Sequence, residues 1–121
     1  MKKLIILIFW FLPHIFYAQE TIECFLVQKG HRRSDLQSWK WKKCKECNVT
    51  FQLSGYRITS NNKSFPVINT YETLTNNDLV ATWSAKDHLD RDCIVKMEFE
   101  FDYCNIVITY PKRCYKYRFN T

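Results

Sequence analysis

Cys93-Ile94-Val95-Lys96-Met97-Glu98-Phe99-Glu100-Phe101 is the stretch whose reading decides the fold. Val95, Met97, Phe99 and Phe101 alternate with Lys96, Glu98 and Glu100, a period of two that predicts a strand with one dry face and one wet face. Working toward the N-terminus, the same period recurs in Val49, Phe51 and Leu53, then in Tyr56 and Ile58. Ser54-Gly55 between those two runs predicts a hairpin. Further strands are expected over 65–72, 79–85, 106–110 and 115–119, with another inside 22–28. Turn-forming stretches separate them at 61–63, 75–78, 87–92 and 102–105. The polar, basic segment 30–43 reads as a loop or short helix. Roughly seven short strands joined by tight turns predict an all-β antiparallel meander, closed into a small barrel or folded as a two-layer sandwich. Connections this short exclude a parallel sheet.

The chain opens with Lys2 and Lys3, an apolar run from Leu4 to Leu12, Pro13, and Ala18 at a cleavage position. That is the pattern of a signal peptide over residues 1–18. The run is far short of the roughly 20 residues that span a bilayer, and no later segment of spanning length occurs. The mature part, 19–121, is therefore expected to be one exported domain, secreted or periplasmic, with about 103 residues to build its core. Cys24, Cys44, Cys47, Cys93, Cys104 and Cys114 all fall in that part. An even count in an oxidising compartment predicts disulfides, whose connectivity the sequence leaves open. One pairing follows from a register: a turn at 102–105 that sets Phe101 opposite Ile106 carries Cys93 to a place opposite Cys114.

Without Lys2 and Lys3, 16 Lys and Arg stand against 12 Asp and Glu, a net charge of +4. Nine basic and four acidic residues occupy 19–63, three and eight occupy 64–102, and four and none occupy 103–121. Basic ends flanking an acidic middle suit a charged partner.

Site-bearing motifs are sparse. Cys44-Lys45-Glu46-Cys47 has the spacing of a redox pair or half a zinc site, yet it lacks both a βαβ context and two further ligands at metal spacing. Asp87-His88-Leu89-Asp90-Arg91-Asp92 gathers three carboxylates without the glycine and terminal glutamate of a calcium loop, and reads as a polar turn. His31 and His88, together with Cys44-Lys45-Glu46-Cys47-Asn48-Val49-Thr50-Phe51, echo the pancreatic-type ribonucleases. The echo breaks down because Val49 intrudes between Asn48 and Thr50 and no histidine lies in the C-terminal strands. No catalytic, metal or cofactor signature is left, and a non-enzymatic module is expected.

Trp39, Lys40, Trp41, Lys42 and Lys43 form an aromatic and basic cluster, and Asp87, Asp90 and Asp92 form an acidic one. These two clusters are the expected interaction surface, with a protein as the expected partner and nucleic acid disfavoured. The alternative is a calycin-like barrel holding a small apolar ligand, for which the stripe Tyr115, Tyr117 and Phe119 reads either as lining or as core, with core preferred.

The Ala18-Gln19 junction, Trp41 to Cys44, the Val49-x-Phe51 strand after Cys47, and Trp83 to Asp87 leading to Cys93-Ile94-Val95 look similar to small exported proteins of flavobacteria and their relatives. The resemblance spans most of the mature chain. It implies a compact β-domain in the envelope or outside the cell and carries no catalytic residues across.

Overall fold

The computed structural model describes residues 20–34 and 36–120, so the leader lies outside the described residues. Nine strands follow in order: β1 (Glu20–His31), β2 (Lys40–Trp41), β3 (Lys45–Ser54), β4 (Arg57–Ser60), β5 (Val67–Asn76), β6 (Val80–Asp87), β7 (Asp92–Phe99), β8 (Cys104–Thr109) and β9 (Arg113–Phe119). From β3 to β9 each strand pairs antiparallel with the next. β1 pairs with both β3 and β9, and that double pairing closes the meander into an eight-stranded barrel with β2 as an extra short strand.

β1 closes the sheet because it is 12 residues long and kinked. Its first part, Glu20 to Val27, pairs with β3, and its later part, Cys24 to His31, pairs with β9. A bulge between Cys24 and Leu26 bends it from one neighbour toward the other. Gly30 and His31 pair with Cys114 and Arg113 of β9 along one edge. A strand has two edges, so the pairing of Gly30 with Trp41 and of His31 with Lys40 must use the edge that β3 uses. β2 and β3 are in effect one broken strand, interrupted at 42–44, which replaces the helix alternative for 30–43.

The alternation seen in the sequence is the alternation seen in burial. Val95, Met97 and Phe99 of β7 are buried, as are Ala81, Trp83 and Ala85 of β6 and Tyr117 and Phe119 of β9. Phe51, Phe65, Ile68, Met97, Ile106, Ile108 and Tyr117 are the largest of the fully buried side chains. An eight-stranded barrel is just wide enough for side chains to fill, and here they do: the stripe on β9 is core. Each such burial contributes about 2 kcal/mol of hydrophobic free energy. At Ser54–Arg57 the β3–β4 hairpin closes over Gly55, whose φ of +59° is free of penalty only for glycine. β4 begins at Arg57, directly after the hairpin turn, so its ladder with β5 reaches no further along β5 than Asn69. Beyond it, bulges in the β5–β6 ladder at Tyr71 and Leu74 distort the exposed edge, which guards it against pairing with another chain.

Two expectations need correction. Phe101 is no part of the dry face; it is 96% exposed, because the β7–β8 hairpin turns earlier. Phe99 faces Cys104, and the N–H of Glu100 donates to the carbonyl of Tyr103 at 2.9 Å. The partner of Ile106 is therefore Met97, four positions from the expected register. Pro111 also ends its strand in a turn, where Tyr110 N–H donates to Arg113 O at 2.7 Å.

The disulfide expectation fails with that register. All six cysteines are free. Cys24 faces Val49 and Phe119, Cys93 faces Ala85, Cys104 faces Phe99 and Phe119, and Cys114 faces Thr109 and Gly30. No ladder sets one cysteine directly opposite another, although Cys47 Sγ lies 3.7 Å from the carbonyl oxygen of Cys24. Burial pushes the thiols of Cys24 and Cys93 up to about 12 and also raises Cys114, which leaves little thiolate to react. Titration with an aromatic disulfide reagent should therefore find exposed Cys44 fast in the native protein and all six thiols after unfolding. Fewer than six after unfolding would contradict the fold's free cysteines.

Candidate functional site

Neighbouring residues of a strand point to opposite faces, and this splits the aromatic and basic cluster in two. Trp41 lies on the outer face. Its cross-strand partner Gly30 sits beneath the ring, where a Cβ would come within 2.9 Å of Trp41 Cε3. Glycine is required here by close approach rather than by backbone angle. Lys116 of β9 reaches over the same ring, its Nζ 4.6 Å from the centroid. Trp39 lies 6.3 Å from Trp41, tilted by 42°. The guanidinium of Arg32 covers Trp39 at 4.1 Å while its Nε donates to the carbonyl of Pro111 at 2.8 Å.

The outer row continues down β9 and the turn after β7. Arg118 stacks on Tyr103 at 3.8 Å. Three cation–aromatic pairs thus run along the outside of β1 and β9, each worth about 0.5–1 kcal/mol at an exposed site. Strand register fixes the Lys116–Trp41 pair, whose members lie in β9 and β2, so that pair has less side-chain entropy left to lose on contact. Lys43 is exposed in the break between β2 and β3, whereas Lys40 and Lys42 belong to the opposite face.

The acidic cluster is built differently. Asp87 continues the inward period of Ala81, Trp83 and Ala85 and its side chain is fully buried. Its Oδ1 accepts from the N–H groups of Leu89 and Arg91, both at 3.0 Å, and its Oδ2 accepts from Arg91 Nε and the Tyr110 hydroxyl, both at 2.8 Å. Burial works against the charge, but the Arg91 N–H, the Tyr110 hydroxyl, the Arg91 guanidinium and the Leu89 N–H together hold the carboxyl below its ordinary range. Burial and this carboxylate push the Tyr110 hydroxyl up, so it stays a donor.

Asp90 turns the hairpin with a φ of +61°, and Asp90 and Asp92 both sit near Lys86 Nζ, at 3.6 and 3.8 Å. Asp87 is answered by Arg91, whereas Asp90 and Asp92 share the single Lys86, so the turn keeps a net negative charge. The two surfaces adjoin at one point: Arg32 of the stripe and Asp92 of the acidic turn line one cleft with Cys93, Tyr110 and Pro111.

His31 lines two adjoining clefts, one with Arg32, Arg33 and Trp39, the other with Lys29, Lys42 and Arg113. His88 lines neither and belongs to the exposed β6–β7 turn. Among the described residues no group of three or more His, Cys, Asp or Glu side chains is arranged to hold a metal. Sequence reasoning missed Lys116, Arg118 and Tyr103, because Lys116 and Arg118 reach from β9 to segments distant in the chain, whereas Arg32 falls in the basic segment 30–43 that the sequence singles out. No described helix is long and apolar enough to cross a membrane. Compared with protein-family models, with curated proteins and with solved structures, the chain matches none.

Proposed function

We propose that this protein is a non-enzymatic binding module that docks a protein partner on the outside of β1 and β9. The observation that supports this reading is the stripe of stacked pairs, Arg32 on Trp39, Lys116 on Trp41 and Arg118 on Tyr103. Tryptophan, tyrosine and arginine dominate binding energy at protein interfaces: the rings bring large contact area with few rotamers to freeze, and arginine brings a planar fork of donors that stacks on them. The cations on the rings favour an acidic surface on that partner. They also cover ring faces that a nucleic-acid base would need for stacking. Of the two surfaces raised by the sequence, the stripe is the one that sets an exposed tryptophan, Trp41, beside a paired cation, which makes it the better contact. The filled barrel interior gives the apolar-ligand alternative no support.

The test is a pull-down from the exported fraction with the mature protein as bait. Trp41→Ala and Lys116→Glu should each cut capture of a co-purifying partner by about tenfold or more, the range of a hot-spot residue. Gly30→Val should act likewise by pushing the Trp41 ring off its seat. Asp90→Ala, in the acidic turn and outside the stacked pairs, should leave capture unchanged. A partner held equally well by Trp41→Ala of unchanged melting temperature would refute the docking surface.

A further inference from the structure

Lys40 and Lys42 point away from the stripe, and the register shows what they join. Cross-strand partners share a face of the sheet. Lys29 pairs with Tyr115, whose ring packs 5.2 Å from buried Phe65, so Lys29 is on the inward face at the barrel mouth. His31, two residues on, shares that face and has Lys40 opposite on one side and Arg113 opposite on the other. Lys42 continues the β1–β2 register, its N–H donating to the carbonyl of Lys29 at 2.8 Å, which sets it opposite Lys29. Three adjacent strand segments thus present Lys29, Lys42, Lys40, Arg113 and His31 to one place.

Such an arrangement costs stability. Like charges directly opposite in a ladder repel, and packing does not require these residues, since all five are exposed. None of them belongs to an ion pair among the described residues, where the cations in use are Lys86, Arg91 and Lys96. Between them lies a cleft of about 410 Å³, lined by Lys29, Gly30, His31, Lys42, Arg113 and Tyr115, with no carboxylate in its wall. Arg113 also lies 5.8 Å over the ring of Tyr110, whose hydroxyl donates to Asp87, and the carboxylate of Asp87 is itself taken up by Arg91 and Tyr110.

We infer that this cleft binds a compact, multiply charged oxyanion, a phosphate or sulfate group. Ammonium and guanidinium donors make short, charge-assisted bonds to such oxygens, and the bound charge removes the repulsion between Lys29 and Lys42. The site uses the face opposite the aromatic stripe, so it stands or falls independently of the docking surface.

Thermal unfolding of the mature protein in millimolar inorganic phosphate, at ionic strength held constant with chloride, tests it. The melting temperature should rise with phosphate and level off as a site saturates. In chloride alone Lys29→Gln/Lys42→Gln should melt higher than the parent protein, and it should lose the phosphate response. A variant that melts lower in chloride, or responds to phosphate as the parent does, overturns the site. Amide shifts of Gly30 and Tyr115 in the unmodified protein provide a second reading that needs no variant: saturable movement supports the site, and none refutes it. Glycerol phosphate and heparin then separate the source, since a free small ligand favours the first and a sulfated polymer the second, by about tenfold in affinity, or 1.4 kcal/mol.

Discussion

Tyr117→Ala is expected to lower the unfolding free energy by about 4 kcal/mol, the cost of emptying a buried aromatic site. The side chain is 2% exposed and stands where three strands converge. Phe51 meets it edge-on at 5.2 Å and Phe65 at 6.1 Å, the offset geometries that aromatic rings favour. Its hydroxyl accepts from Asn62 Nδ2 at 2.7 Å, which ties the β4–β5 loop to the barrel wall. Tyr117→Phe keeps the rings and gives up that bond alone, at about 1 kcal/mol. The contrast between the two variants in urea unfolding separates packing from hydrogen bonding. Equal loss in both would mean the ring is not the keystone described.

Asp87→Asn is expected to cost about 2–4 kcal/mol at neutral pH, because an amide has one oxygen to offer where four donors now converge and it cannot answer the Arg91 charge. The acid limb of the stability curve gives a second signature. Asp87 has a carboxyl pKa lower in the folded protein than in the unfolded chain, where it sits near 3.9. The folded state therefore binds its proton less readily, and the stability this group contributes is fully present above about pH 4. It is lost as pH falls through the lower, folded value. Stability of the parent protein should drop across that acid window, and Asp87→Asn should drop less. Parallel acid limbs in the two proteins would show that the carboxylate is not held as the hydrogen bonds indicate.

Local rules made the barrel wall legible. β7 and β9 were readable from alternation alone, and Ser54-Gly55 marked its hairpin because the second residue needs a positive φ. The end of β7 was not readable, since Phe101 keeps the period while the chain has already turned at Glu100. A spare apolar residue in a turn looks like one more step of a strand. The choice between barrel and sandwich required knowing that β1 reaches two partners, a fact set by its bulge and by no motif.

The two halves of the candidate site differ in the same way. Trp39 and Trp41 announced an exposed aromatic cluster, whereas the inward face shared by Lys29 and His31 was hidden. Phe25 sits in the bulge of β1 and shifts the phase of the alternation, so counting from Ile22 and Cys24 puts Lys29 and His31 on the wrong side. Asp87 could be placed from the period of Ala81, Trp83 and Ala85, but its charge grouped it with Asp90 and Asp92. The cysteines misled for a separate reason: an even count carries no information about which strands neighbour which, and here no ladder sets two of them directly opposite.

The pairing of β1 with β9 holds the whole arrangement, since it closes the barrel, brings Lys116 over Trp41 and sets Arg113 beside His31 at the mouth. Nuclear Overhauser contacts across that seam test it most directly. Cross-strand backbone contacts between Val27 and Tyr117 and between Lys29 and Tyr115, with slowly exchanging amides on both strands, are the result expected. If those contacts are missing and β1 and β9 exchange their amides as free edges, the sheet is open and the account is wrong.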